Sequence, residues 1–216
     1  MHIMSPKGLL SAFNHFALEQ TGSHEIRTVG IYHKDCSDGT MAAAVLLKKF
    51  PDISLFPLSQ DYSEKEFQQI KKLVTDRVTV YTVDCALGVE QLLPIAQQVI
   101  TIDHHIGNKE YLEEIAQKHK HFTFIFSNDK SGSSLTWSHL FKEPIPEIIQ
   151  IIEDFDLWRW KFGDRTKHLM NFLYPTPNNP RKFLQYLSED IEILIQEGKI
   201  LSGFADSLVY KFIENN

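Results

Sequence analysis

Short runs of β-branched and aromatic residues alternate with longer segments of helical spacing along the first part of the chain. Such runs are typical of buried strands, and they predict five: residues 28–32, 53–58, 78–83, 99–102 and 122–126. The segments between them predict helices at 40–47, 64–74, 89–97 and 109–119. Strands that alternate with helices form crossover units. The pattern therefore predicts an α/β fold with a mostly parallel five-stranded sheet flanked by helices.

The pattern changes after residue 130, where the strand signals stop. Helical spacing, interrupted by prolines, then predicts helices at 131–141, 147–154, 167–173, 180–186 and 191–213. A further helix is predicted within residues 5–20. We therefore divide the chain into a leading helix and linker (1–27), a parallel α/β core (28–130) and a helical C-terminal portion (131–216).

Acidic and imidazole side chains follow three of the predicted strands. His33, Asp35 and Asp38 follow the first, Asp84 follows the third, and Asp103-His104-His105 follows the fourth. The carboxyl ends of parallel strands lie along one edge of the sheet, where open α/β sheets place their ligand sites. Carboxylates gathered there would resist ionisation unless a cation neutralised them. The sequence therefore predicts a metal site at this edge.

Composition narrows the possible functions. The net charge of −6 argues against strong binding to long nucleic acid, which depends on clustered Lys and Arg, but allows a small anionic substrate held through a metal. Two cysteines, Cys36 and Cys85, form no disulfide framework, so a reducing cytoplasm is expected. The sequence has no run of about 18 apolar residues that would span a membrane.

Five motifs in order carry a resemblance to a known family. They are His33-x-x-Cys36-x-Asp38-Gly39, Val83-Asp84, Asp103-His104-His105, the Ser131-Gly132-Ser133-Ser134 segment and Glu153-Asp154-Phe155-Asp156-Leu157-Trp158. This series resembles the DHH phosphoesterases, which include RecJ-like exonucleases, nano-RNases and family II pyrophosphatases. The nearest branch is the DHH phosphohydrolases with a Cys in the first motif and Asp-x-Asp-Leu-Trp in the last.

The resemblance implies two divalent metal ions. Mn²⁺ is the expected ion, and Zn²⁺, Fe²⁺ and Mg²⁺ are the alternatives. The metal ligands that it implies are His33, Asp38, Asp84, His104, His105 and Asp154. Asp84 would bridge the metals, and Asp84, His104 and His105 would carry catalysis. Asp103 would instead accept a hydrogen bond from a metal-binding imidazole and fix its tautomer.

Several assignments stay open at this point. Cys36 stands where most relatives have Asp, so Cys36 or Asp35 is a possible further ligand, and Asp156 is a less favoured alternative to Asp154. Gly39, Ser131, Gly132 and Ser133 precede or open predicted helices and are candidates for phosphate binding, with ordinary helix starts as the rival explanation. Trp158 and Trp160 have the spacing of a base-stacking pair, but core packing is favoured.

The expected function is metal-dependent hydrolysis of a phosphomonoester or phosphodiester in a small nucleotide or short oligonucleotide. The alternatives are a pyrophosphatase or exopolyphosphatase, and a non-catalytic metal- or nucleotide-binding remnant. Two-domain relatives carry a C-terminal domain whose glycine-rich, His-containing motif binds the far side of the substrate, and no glycine-rich loop follows the helix of residues 189–212. A homodimer could complete the site instead.

Overall fold

The computed structural model describes residues 27–175 and 178–214, with side chains described up to residue 203. The helix predicted within residues 5–20 lies outside the described residues. Five strands form one sheet: β1 (Thr28–His33), β2 (Ser54–Leu58), β3 (Thr79–Val83), β4 (Gln98–Asp103) and β5 (Phe122–Phe126). All neighbouring strands are parallel, in the order β2-β1-β3-β4-β5. The predicted five-stranded parallel sheet is confirmed.

Helices connect the strands and form the C-terminal portion. They are α1 (Ser37–Lys49), α2 (Glu64–Lys71), α3 (Val89–Leu92), α4 (Lys109–Lys118), α5 (Gly132–Leu140), α6 (Glu147–Asp156), α7 (Asp164–Leu173), α8 (Pro180–Tyr186) and α9 (Ile191–Glu214). A single 3₁₀ turn, Ile106–Asn108, precedes α4. Two of the predicted helices are shorter than expected: α2 ends at Lys71, and α3 has only four residues.

Both faces of the sheet are buried, which explains why its strands are apolar runs rather than alternating ones. On one face, Ile31 and Val80 pack with Phe67 of α2 and Leu112 of α4. On the other face, side chains of the central strands pack against the alanine-rich middle of α1. A further apolar cluster joins α1 to the C-terminal helices.

The strand register brings the polar ends of the three central strands together. Tyr32 pairs with Val83, and Val83 pairs with Ile102. The next residues along these strands are therefore neighbours: His33, Asp84 and Asp103. None of the described helices has the length and hydropathy to cross a membrane.

Candidate metal centre

Asp84 lies at the middle of the carboxyl edge and is held there by an unusual backbone conformation. Its φ is 57°, in the left-handed region that non-glycine residues rarely adopt. Its N–H donates to the Ile102 carbonyl at 2.9 Å, and the residue is only 1% exposed. Oδ1 lies 3.1 Å from His104 Nε2, and Oδ2 lies 3.6 Å from His33 Nδ1. The two carboxylate oxygens thus face different imidazoles.

Two glycines allow neighbouring segments to approach Asp84. A Cβ on Gly132 would lie 2.6 Å from the Asp84 Cβ, and a Cβ on Gly39 would lie 2.9 Å from the His33 Cβ and 3.1 Å from Asp84 Oδ2. Real Cβ atoms essentially never make contacts shorter than 3.0 Å, so a side chain at either position would force its neighbours to move. Both glycines therefore serve close packing around the carboxylate, a role that the sequence did not reveal.

Asp38, in the first turn of α1, is held by the segment that opens α5. Ser131 Oγ donates to Asp38 Oδ1 at 2.6 Å, and the Ser133 hydroxyl donates to the same oxygen. The Ser133 N–H also lies 3.1 Å from Asp38 Oδ2. Ser131 additionally caps α5 by accepting from Ser134 N–H. The candidate phosphate ligands Ser131 and Ser133 are fully buried, and their hydroxyls donate to the carboxylate of Asp38.

Asp103 and His105 form a tight pair at the end of β4. Asp103 is fully buried, and its Oδ1 lies 2.6 Å from His105 Nδ1. The same carboxylate accepts from the backbone N–H of His104 and from the Asn108 side chain. A bond from Nδ1–H to Asp103 leaves Nε2 of His105 as the free nitrogen. This is the contact expected of a carboxylate that orients an imidazole.

At the end of α6, the carboxylate that lies beside the cluster is not the one favoured from the sequence. Asp156, rather than Asp154, reaches the cluster: its Oδ2 lies 3.4 Å from His104 Nε2. Asp154 accepts from Lys161 N–H at 2.8 Å and from the Thr166 hydroxyl at 2.6 Å, and it belongs to none of the potential metal-binding groups found among the described residues. The predicted helix ended at Asp154, whereas α6 ends at Asp156. Side chains two positions apart on a helix project about 200° from each other, so Asp154 and Asp156 face opposite sides of α6.

The two other candidates of the first motif lie in different surroundings. Asp35 is exposed and exchanges hydrogen bonds with Asn178: its N–H donates to Asn178 Oδ1 at 2.7 Å, and the Asn178 amide donates to its carboxylate. Cys36 is half-buried at the N-cap of α1 and forms a potential metal-binding group with His33 and Asp84. The structure therefore places the thiol, and not Asp35, with the cluster.

The charged groups of the cluster shift one another's pKa values, and two of the carboxylates resist ionisation. Burial and the charges of Asp84 and Asp156 raise the pKa of Asp38. Burial and the charge of Asp84 also raise the pKa of Asp156. Burial opposes ionisation of Asp84, but the adjacent His104 and His33 rings lower its pKa to about 2. Burial favours neutral His104, yet the surrounding carboxylates raise its pKa to about 9. A bound cation would relieve this repulsion.

The donor atoms fit a divalent metal. Three overlapping groups bring their potential ligand atoms within 4.8 Å of one another: His33-Cys36-Asp84, Asp84-His104-His105 and Asp38-His104-Asp156. Two buried carboxylate oxygens in these groups, Asp84 Oδ2 and Asp156 Oδ2, have no hydrogen-bond partner. Because buried polar atoms are usually paired, such orphaned oxygens call for an ion. Carboxylate and imidazole donors suit Mn²⁺, Zn²⁺ or Fe²⁺, and the thiol favours the softer ions.

Known proteins resemble this chain only in part. No family model matches the chain. An uncharacterized protein, R106, of Acanthamoeba polyphaga mimivirus is 25% identical over 179 residues, which cover 76% of this chain. The chain spans 41% of the length of this viral relative.

Similar solved structures include one from Helicobacter pylori and one from Thermus thermophilus. An uncharacterized protein from Helicobacter pylori G27 has a TM-score of 0.56 and 15% identity, over 83% of this chain and 63% of that one. RecJ from Thermus thermophilus, solved in complex with Mn²⁺, has a TM-score of 0.47 and 14% identity, over 99% of this chain and 40% of that one. The likeness to the Helicobacter protein shows a shared fold.

Proposed function

We propose that this chain carries a divalent-metal-dependent phosphoesterase site of the DHH type. The observation that supports the proposal most strongly is the pair of buried carboxylate oxygens, Asp84 Oδ2 and Asp156 Oδ2, that accept no hydrogen bond within one cluster of imidazoles and carboxylates. The order of the sequence motifs adds support, because four of the five motifs supply the residues of the cluster. The substrates are small phosphorylated molecules such as nucleotides or short oligonucleotides, and the two unpaired cysteines fit a reducing compartment such as the cytoplasm.

Asp84 would be shared between two metal ions, since its two oxygens face different imidazoles. His33 would complete one side of the centre, with Cys36 as a further donor, and Asp38, His104 and Asp156 would complete the other. When bound, such ions polarise a phosphoryl group and lower the pKa of a coordinated water.

The remaining residues hold these ligands in place. Ser131 and Ser133 orient Asp38, and Gly132 allows α5 to pack directly on Asp84. Asp103 orients His105 so that Nε2 points away from the Asp103 contact and is free to meet a phosphate or a metal. The ligand set therefore depends on hydrogen bonds from segments that are distant in sequence.

Metal-stripped protein supplied with Mn²⁺, Zn²⁺, Fe²⁺ or Mg²⁺ provides the test. We expect metal-dependent hydrolysis of a generic phosphodiester, a nucleotide or a di- to pentanucleotide, and at least a hundredfold loss in Asp84→Asn. Asp52→Asn, which changes an exposed aspartate, is the matched control and should keep the wild-type rate. Release of phosphate from pyrophosphate alone would indicate a pyrophosphatase instead. Metal binding without turnover on any of these substrates would contradict the enzyme assignment.

A further inference from the structure

Three aromatic side chains meet where α6 ends: the exposed Trp158 and Trp160 and the half-buried Phe155. The rings of Trp158 and Trp160 have centroids 5.7 Å apart, and Phe155 stacks on Trp158 with an interplanar angle of 30°. Trp158 is 73% exposed and Trp160 is 39% exposed. We call Phe155, Trp158 and Trp160 the aromatic platform. Its exposure contradicts the prediction that the two tryptophans pack in the core.

The backbone of the platform is unfavourable for large side chains. Trp158 N–H donates to the Phe155 carbonyl, and Arg159 N–H donates to the Asp154 carbonyl. These two bonds form a Schellman motif, whose left-handed position is normally taken by glycine. Trp158 occupies it with φ 51°, and Trp160 has φ 53°. Strained backbone of this kind clusters at active sites and ligand clamps.

The platform adjoins the candidate metal centre. Asp156, whose carboxylate lies beside His104, is two residues before Trp158, so their Cα atoms are within about 7 Å of each other. Asp154 fixes the other end of this loop by accepting the Lys161 and Phe162 N–H groups. One short segment therefore presents a metal-facing carboxylate and solvent-facing indoles in a defined relationship.

We propose that the aromatic platform stacks the base of a nucleotide whose phosphate is held at the metal centre. This inference rests on the proposed function and names its substrate class. A nucleotide carries a phosphate and a flat aromatic base that are separated by one sugar. The phosphate would lie at the metal centre and the base on the adjacent indoles. Stacking on indole tolerates any base, so the platform selects for a base rather than for a sequence.

Binding of two uncleavable ligands tests the proposal. One is the 5′-phosphonate analogue of adenosine monophosphate, in which methylene replaces the ester oxygen, and the other is the same phosphonate without the base. Calorimetric titration in the presence of Mn²⁺ gives both dissociation constants for wild type, Trp158→Ala, Trp158→Phe and Ile200→Ala. The last variant truncates an exposed apolar side chain of α9 and serves as the control.

We expect wild type to prefer the adenosine ligand about fivefold or more, the ratio that loss of one stacking contact produces. Trp158→Ala should lose the preference while binding the base-free ligand unchanged, and Trp158→Phe and Ile200→Ala should keep it. If wild type binds the two ligands equally well, or if Trp158→Ala keeps the full preference for the adenosine ligand, the aromatic platform does not stack a base. Neither result would contradict the proposed phosphoryl site. If neither ligand binds, both the proposed function and the base-stacking role of the platform are contradicted. Loss of self-association in Trp158→Ala, with no base preference in wild type, would make the platform an interface between copies and also overturn the inference.

Discussion

Gly132 packs directly on Asp84, with room for no side chain: an added Cβ would lie 2.6 Å from the Asp84 Cβ and 2.8 Å from its Oδ1. The contact joins the start of α5 to the end of β3, although 48 positions separate the two residues (132 − 84). The carboxylate that the centre depends on is thus positioned by a residue that offers no ligand atom.

Gly132→Ala should therefore weaken Mn²⁺ binding while every ligand is kept. The added methyl must displace Asp84 or α5, and disturbing the surroundings of metal ligands typically lowers affinity about 10- to 100-fold. Calorimetric titration with Mn²⁺ measures the change. Gly203→Ala is the matched control, because a Cβ there meets no atom within 4 Å, and it should leave the affinity unchanged. Wild-type affinity in Gly132→Ala would show that the close contact does not matter for metal binding.

Asp154 and Asp156 should have opposite phenotypes. Asp156→Asn should abolish most of the increase in unfolding temperature that Mn²⁺ produces, since it removes a charged ligand atom near His104. Asp154→Asn should keep that increase but lower the free energy of unfolding by about 1–3 kcal/mol, because it weakens the buried bonds to Lys161, Phe162 and Thr166. Thermal melts with and without Mn²⁺ separate the two effects. The reverse pattern would restore Asp154 as the ligand.

Two adjacent buried serines provide a sharp comparison. Ser133→Ala removes a hydroxyl that donates to Asp38 and should lower the free energy of unfolding by about 1–3 kcal/mol. Ser134→Ala removes a hydroxyl oxygen that has no hydrogen-bond partner, so the free energy of unfolding should stay within about 0.5 kcal/mol of wild type. Denaturant unfolding measures both values. Equal losses would mean that the Ser133 contact contributes nothing specific.

The backbone strain at Trp158 can be measured by comparing the stabilities of two replacements. Trp158→Gly should be about 1 kcal/mol more stable than Trp158→Ala, since both lack the indole and only glycine is free of strain at φ 51°. At Gln150, an exposed position within α6, the order should reverse, with Ala more stable than Gly by about 1 kcal/mol. Chemical denaturation of the four variants tests the contrast. The same order at both positions would argue against backbone strain at Trp158.

The residues that sequence reasoning placed well are those whose position depends on strand periodicity. The apolar runs that end before Asp84 and Asp103 predicted β3 and β4 closely, and parallel pairing then brings these residues to one edge. No comparable signal exists for the packing of Gly132 on Asp84 or for Ser133 on Asp38, because the contacting segments are far apart in sequence.

The errors share a physical origin at the end of α6. Sequence periodicity does not locate the last helical residue, and the hydrophobic pattern carries no sign of the left-handed turn that follows α6. Asp156 consequently takes the place expected for Asp154, and Trp158 becomes exposed although its apolarity predicted burial. A tryptophan in a glycine-preferring conformation has no signature in the hydrophobic pattern.

The most direct test of a metal centre at this edge is anomalous diffraction from crystals of the protein grown with Mn²⁺. We predict one or two anomalous peaks in contact with the carboxylate of Asp84, with His104 and Asp156 as further ligands and no peak in crystals of Asp84→Asn. Peaks elsewhere on the protein, or none at Asp84 at saturating Mn²⁺, would contradict the assignment.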